Sequence, residues 1–212
     1  MTAILKVDTI QDTAGNNIIN ESSDTITIGA SGDTTNIVGT LQNNGSAVAS
    51  TNGITMADQW RLTTTTNDGT SADITSNWER VDTAGAGFIG SAMAESSGVF
   101  TFPSTGVYLV HFTGTMYTGT NATGSVKLGL EIHVTTNNSS YTNIASGYGW
   151  NPSNQFTYFQ SDVSSLIDVT DTSNVKVKFK NINGGSNNSD RVWTGHTSEN
   201  KTFATFLKVG AT

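Results

Sequence analysis

The segment 106–112, GVYLVHF, carries large or apolar side chains on both faces of one predicted strand. Successive side chains of a strand point to opposite faces, so alternate positions form two sets. The first set is Val107, Leu109 and His111, and the second is Tyr108, Val110 and Phe112. Most antiparallel strands have one wet face, so this strand needs a covering layer on each side.

The segment 203–209, FATFLKV, shows the same two-faced pattern, with Phe203, Leu207 and Val209 on one side and Ala204 and Phe206 on the other. No amphipathic helix is predicted that could cover a second face. Another copy of the same sheet in a closed homo-oligomer is the simplest cover, and a loop of the same chain is the alternative. The side chains predicted to form the core or interface of the oligomer are Val107, Tyr108, Leu109, Val110, Phe112, Phe203, Phe206 and Leu207.

The rest of the chain after residue 60 predicts an all-β sandwich of about ten antiparallel strands. The segments VKLGLEIHV (126–134) and VKVKFK (175–180) alternate apolar and polar residues without error. Glycine, asparagine and threonine are abundant, which favours strands joined by tight turns. The predicted strands are 60–66, 74–81, 87–93, 99–102, 106–117, 125–135, 141–148, 156–163, 175–181 and 201–209.

Residues 1–50 have short alternating segments separated by turns, but few aliphatic side chains. Their burial cannot offset the conformational entropy of ordering an isolated segment of this length. We therefore interpret residues 1–50 as an intertwined β stalk or docking arm, with a flexible tail as the alternative. Residues 51–59 are the predicted linker and residues 60–212 the head. The predicted anchor residues of the arm are Ile4, Leu5, Val7, Ile10, Ile18, Ile26 and Ile28.

Composition excludes several classes of function. The formal net charge is −7 and no basic cluster occurs in the sequence, so nucleic acid is not an expected partner. The chain has no cysteine, so neither disulfides nor thiol chemistry contribute. No signal peptide and no apolar run of membrane-spanning length is found, which predicts synthesis in a cytoplasm without membrane insertion.

The sequence offers little that indicates an enzyme. The histidines His111, His133 and His196 lack a metal-ligand spacing, and no GxSxG motif is present. We therefore expect no catalytic residues and no cofactor. Calcium remains an alternative at two turns, 67–73 and 168–174, where the candidate ligands are Asp68, Asp73, Asp168 and Asp171. Such residues also favour turns without any metal.

Three loops at 118–124, 148–156 and 183–193 are rich in side chains that can hydrogen-bond sugars. Tyr148, Trp150 and Trp193 could stack on a sugar ring, which makes them candidate glycan-binding residues. The alternative is that these aromatic side chains pack at a subunit contact.

The motifs GVFTFPSTGVYLVHF, DVSSLIDVTDTSNVKVKF and TFATFLKV resemble the globular head of complement component C-one-q and its tumour-necrosis-factor-like relatives. The resemblance covers about residues 60–209. It implies a ten-stranded jelly roll that assembles as a homotrimer, in which calcium can lie near the axis. The chain departs from the usual Gly-Asp pair before the penultimate strand, where Asp168, Asp171 and Asn174 surround the turn.

The N-terminal segment ILKVDTIQDTAGNNIINESSDTITIGASGD, together with SNWERVDTAGAGFIGSAM, resembles virion structural and fibre proteins of marine bacteriophages, especially those of cyanobacteria. This resemblance implies a non-enzymatic trimeric fibre, spike or knob of the virion, made in the host cytoplasm. Its arm would dock on other virion proteins and its head would bind a glycan or protein of the host surface. A capsid decoration protein is the alternative, and a glycan depolymerase is a remote one.

Overall fold

The computed structural model describes residues 9–11, 13–15, 17–22, 25–28, 32, 34–35, 42–43, 46–47, 53–66, 71–118, 126–151, 157–184 and 191–212. The described residues form strands, bridges and turns and include no helix. The chain divides into two compact units, Met1–Ser50 and Thr51–Thr212.

The first unit contains a three-stranded antiparallel sheet and a small hairpin. The sheet consists of β1 (Thr9–Gln11), β2 (Asn17–Ser22) and β3 (Thr25–Ile28), and the hairpin consists of β4 (Gln42–Asn43) and β5 (Ser46–Ala47). The register places Ile10 opposite Ile19, and Ile19 opposite Ile28. One isoleucine from each strand therefore lies in a single row across the sheet.

The second unit, which we call the head, is a sandwich of two antiparallel sheets. Its strands are β6 (Ala57–Leu62), β7 (Ala72–Asp73), β8 (Trp78–Arg80), β9 (Ala94–Ser96), β10 (Val99–Thr101), β11 (Gly106–Thr118), β12 (Val126–Thr135), β13 (Thr142–Asn151), β14 (Thr157–Val169), β15 (Lys176–Asn183), β16 (Arg191–Trp193) and β17 (Phe203–Gly210). The front sheet has the order β14-β11-β17-β6-β8, with β16 also paired to β11. The back sheet has the order β13-β12-β15-β10-β9, with β7 also paired to β15.

Aromatic side chains fill the space between the two sheets. The rings of Phe112 and Phe179 have centroids 4.5 Å apart, and Phe100 lies 5.4 Å from Phe179 and 5.3 Å from Phe206. All four phenylalanines are fully buried. The partly buried Trp78 packs edge-on against Phe100, with ring centroids 5.2 Å apart. Tilted and edge-to-face contacts between aromatic rings stabilise a core by more than the burial of their apolar surface alone.

The prediction of an all-β antiparallel sandwich is confirmed. Ten strands lie along the two sheet paths, and β7 and β16 are two further short strands beside them. The alternation of 126–134 and 175–180 is also confirmed, because the apolar members that the structure describes face the core. Those that are fully buried or nearly so are Leu128, Leu130, Ile132, Val175, Val177 and Phe179.

Several predicted strand limits are wrong. The first strand of the head begins at Ala57 rather than Trp60, so the predicted linker 51–59 extends into β6. Residues 87–93 form no strand, and only Ile89 makes an isolated bridge, to Ala57. The strand predicted to end at residue 163 continues to Val169, because β14 pairs with β11 along its whole length.

Candidate functional site

The outer face of the front sheet carries one of the two apolar sets of side chains predicted from the sequence. The sequence analysis offered either another copy of the sheet or a loop as the layer that covers it. The pairing of β14, β11, β17 and β6 arranges these side chains in rows across the sheet. One row is Leu166, Leu109, Leu207 and Ala57; the next is Ser164, His111, Thr205 and Gln59; the third is Asp162, Thr113, Phe203 and Arg61.

The first of these rows, which we call the leucine row, is apolar from one edge strand to the fourth strand. Leu109 and Leu207 are half-buried, while Leu166 is 63% exposed. Beside Leu109 and Leu207 lies a shallow depression of about 230 Å³ that His111, Ser164 and Thr205 complete. No described helix covers this face. An exposed row of this kind is typical of a protein–protein contact.

The structure divides the predicted trimer residues into two groups. Tyr108, Val110, Phe112 and Phe206 are fully buried between the sheets. Their cover is the back sheet of the same chain, so the prediction that they form an intersubunit contact is wrong. The remaining predicted residues, Val107, Leu109, Phe203 and Leu207, lie on the outer face and are half-buried. The alternation of side chains along the strand assigned each residue to the correct face. It could not show which of the two faces is covered by the back sheet of the same chain.

The second and third rows add polar groups to the same face. His111 Nε2 lies 3.7 Å from Asp162 Oδ2 and 3.3 Å from Thr113 Oγ1. The Gln59 side chain donates to Thr205 Oγ1 at 2.9 Å. At the far end of the third row, the fully buried Arg61 is held by acidic side chains. Its partners are Glu79 and Asp82, with a further hydrogen bond to Thr83.

The outer face of the back sheet has a different character, because lysines are concentrated there. Lys176, Lys178 and Lys180 alternate with buried apolar residues along β15. The pairing of Glu131 with Lys180 places Lys127, four residues before Glu131 on β12, on the same face. The sequence analysis did not find this cluster, since Lys127 joins the other lysines only through the pairing of β12 with β15.

The three predicted glycan-binding aromatics lie in three different environments. Trp150 is 70% exposed and pairs across β12–β13 with Lys127. Tyr148 is also exposed, but its hydroxyl donates to Glu131 Oε1 at 3.0 Å and its ring lies 3.5 Å from the Lys127 ammonium. Trp193 is only 2% exposed and packs over Gly114. The prediction that Trp193 can stack on a sugar is therefore wrong.

The calcium candidates do not form a common site among the described residues. Asp73 is paired with Lys178 at 2.6 Å. Asp171 closes its own turn, accepting hydrogen bonds from Ser173 N and Asn174 Nδ2 at 2.7 Å. Asp168 is exposed, and Asp68 lies outside the described residues. Within the described ranges, no group of three or more His, Cys, Asp or Glu side chains could hold a metal ion.

Two groups of ionisable side chains lie on the outer face of the back sheet: His133 with Glu131, and Tyr141 with Asp73 and Lys178. In the first group, His133 Nε2 lies 2.8 Å from Glu131 Oε2. Burial, and secondarily the negative charge of Asp73, raises the pKa of the Tyr141 phenol above its usual value. Lys178 lies 4.4 Å from the centre of the Tyr141 ring.

The predicted anchor residues of the first unit are described only in part. Ile10 and Ile28 are exposed members of the isoleucine row, and the sequence analysis missed the third member, Ile19. Ile4, Leu5 and Val7 lie outside the described residues, and the structure describes Ile18 and Ile26 only as strand positions. The sequence has adjacent isoleucines at 18 and 19. Only the pairing of β2 with β1 and β3 shows that Ile19, not Ile18, lies in the row.

No helix in the described part of the chain has the length and apolar character needed to cross a membrane.

No protein-family model matches the chain, and no curated protein matches it in sequence. Several solved structures resemble it. Eiger TNF from S. frugiperda is 12% identical, with 74% of this chain and 93% of that chain covered and a TM-score of 0.48. The globular domain of zebrafish complement 1qA protein is 14% identical, with 74% and 98% covered and a TM-score of 0.44. The PRD1 vertex protein is 18% identical, with 74% and 99% covered and a TM-score of 0.40. Structural neighbours of this chain thus include tumour-necrosis-factor and complement-type heads and a phage vertex protein.

Proposed function

We propose that this chain is a non-enzymatic structural protein of a bacteriophage particle, a homotrimeric fibre, spike or knob. The observation that carries the proposal is the partly exposed leucine row on the outer face of the front sheet, formed by Leu166, Leu109, Leu207 and Ala57. Covering such a row removes apolar surface from water, which is the main driving force for stable association. A closed ring of identical subunits provides that cover without another protein.

The number of subunits and the place in the virion are proposed from the sequence. The motifs GVFTFPSTGVYLVHF and TFATFLKV resemble trimeric complement-type heads, and the N-terminal segment resembles marine phage virion proteins. In this proposal the unit Met1–Ser50 docks on other virion proteins and the head faces the host cell. The row of Ile10, Ile19 and Ile28 supplies an apolar surface for the docking.

Sedimentation velocity of the full chain at micromolar concentration tests the assembly. We expect one species with the mass of three chains, and a single well-folded chain at that concentration would overturn the proposal.

Labelling of the phage particle with a gold-conjugated antibody against the head tests the location. We expect label at the tail or at a projecting spike. Label spread over the capsid faces would assign the chain to capsid decoration instead.

A further inference from the structure

Positive charge is concentrated on the outer face of the back sheet, although the protein as a whole is acidic. The chain has ten Lys and Arg residues and a formal net charge of −7. Four of those ten cations share this one face: Lys127, Lys176, Lys178 and Lys180. Gly184 N donates to Lys127 O at 2.7 Å, so Lys127 continues the line of β15 beyond its end. At about 3.3 Å per residue, the line from 176 to 184 is about 26 Å long.

The two acidic side chains that the structure describes on this face are already engaged. Glu131 lies within hydrogen-bond distance of His133 and accepts from Tyr148, and Asp73 is paired with Lys178. Lys176 and Lys180 have no ion-pair partner among the described residues. Net positive charge therefore remains along the line.

An exposed aromatic side chain stands at one end of the line. Trp150 is 70% exposed and lies opposite Lys127 in the β12–β13 pair. The neighbouring Tyr148 ring is fixed by Lys127 and by its hydrogen bond to Glu131. An indole can stack on the apolar face of a sugar ring, while an adjacent ammonium pairs with an acidic substituent of that sugar.

We propose that the outer face of the back sheet binds an anionic polysaccharide. Trp150 stacks on a sugar ring, and Lys127, Lys176 and Lys180 pair with acidic groups along the polymer. The proposal names the ligand class of the host-facing head, and it rests on the proposed function only for the source of that polymer, the host envelope.

Charge density favours a polysaccharide over nucleic acid as the occupant. Duplex DNA carries one negative charge per about 1.7 Å, and its binding proteins commonly have a strongly basic surface. Here Glu131 and Asp73 lie among the lysines, and the chain as a whole is acidic. A polymer with about one charge per sugar ring suits this mixed surface better.

Calorimetric titration of the full chain with three defined polymers tests the inference. Polygalacturonate supplies carboxylates, dextran sulfate supplies sulfates, and dextran is neutral. We expect binding to at least one anionic polymer, no binding to dextran, and affinity that falls as salt rises from 50 to 300 mM. Whichever anionic polymer binds more tightly identifies the acidic group.

Matched charge variants locate the site. Lys180→Gln should weaken binding by about three- to fivefold, and Lys176→Gln combined with Lys180→Gln by about tenfold or more. Lys201→Gln removes the same charge in the turn that precedes the front-sheet strand β17 and should change affinity by less than about twofold. Trp150→Ala should weaken binding several-fold and remove any change in tryptophan fluorescence on binding. Equal losses for Lys180→Gln and Lys201→Gln would overturn the inference.

Two further results would overturn it: equal binding of neutral dextran, or tighter binding of a single-stranded oligonucleotide than of either anionic polymer. The outcome is separate from that for assembly. A trimer that binds no polysaccharide would overturn this inference and leave the proposed assembly standing. A monomer that binds polygalacturonate would overturn the proposed assembly and support this inference.

Discussion

Asp58 and Arg80 form an ion pair across the β6–β8 edge of the front sheet, with Oδ1 and Nε 3.1 Å apart. The Asp58 side chain is fully buried, while that of Arg80 is 35% exposed. Asp58 Oδ2 also accepts hydrogen bonds from Met93 N at 2.9 Å and from Trp60 Nε1 at 3.0 Å. One carboxylate thus joins two strands to the segment that enters β9.

Replacing Asp58 with Asn should lower the free energy of unfolding by about 3 kcal/mol, because a buried charge partner is lost and the amide cannot accept all of these hydrogen bonds. Chemical denaturation followed by circular dichroism at fixed protein concentration measures the change. Glu199→Gln, an equal change of charge at an exposed side chain, is the control and should change stability by less than about 0.5 kcal/mol. Equal stability of the two variants would contradict the role given to Asp58.

Replacing Leu166 with Glu should convert the proposed trimer into monomers at micromolar concentration, because the new carboxylate would have to be dehydrated in the contact. Leu166 is 63% exposed in the single chain, so the head should still fold. Sedimentation velocity measures the mass. Trp150→Glu, a similar change on the back sheet, should leave the trimer intact. A Leu166→Glu trimer as stable as the wild type would exclude the leucine row as the contact.

Replacing Gly114 with Ala should destabilise the head by about 1–3 kcal/mol, because a Cβ at this position would overlap the Trp193 ring and approach Leu130. Thermal unfolding followed by circular dichroism reports the loss. Gly87→Ala meets no atom within 4 Å and serves as the control. If both variants melt together, Trp193 does not pack on β11 in the way described.

Replacing Asp73 with Asn should lower the pKa of Tyr141, because the negative charge of Asp73 is one of the two causes that raise it. Absorbance at 295 nm as a function of pH, taken as the difference between proteins with and without Tyr141→Phe, measures this pKa. Since the phenol has a raised pKa in the folded state, its contribution to stability is complete below the pKa of the unfolded chain. That contribution is lost as pH rises through the folded value. An unchanged pKa in the Asp73 variant would leave burial as the only cause.

Much of the head could be predicted from its sequence because periodicity reports burial directly. The alternation in 175–180 and 126–134 located two strands and their inner faces, and Tyr108, Val110 and Phe112 separated correctly from Val107 and Leu109. The sequence did not show which layer covers each face of this strand, because alternation separates the two faces but does not say which sheet lies opposite them.

The rest depended on pairing between distant strands. In β14 the polar Ser165 takes an inward position and the apolar Leu166 an outward one, so alternation fails there and the sequence placed the end of the strand too early. Trp193 resembled a loop aromatic because its segment is short and lies among glycine and asparagine residues, yet pairing with β11 directs it into the core. The lysine cluster needed the β12–β15 register for the same reason.

The position of β17 affects how the head can be made. This strand lies between β11 and β6, although Leu207 and its partner Ala57 are separated by most of the head in sequence. During synthesis, β6 and β11 therefore leave the ribosome long before the strand that joins them exists. Until residue 210 has been translated, both keep open hydrogen-bonding edges that can capture strands of neighbouring nascent chains. Closure of the front sheet must wait for β17, and pairing over so long a stretch of sequence favours slow folding of this head.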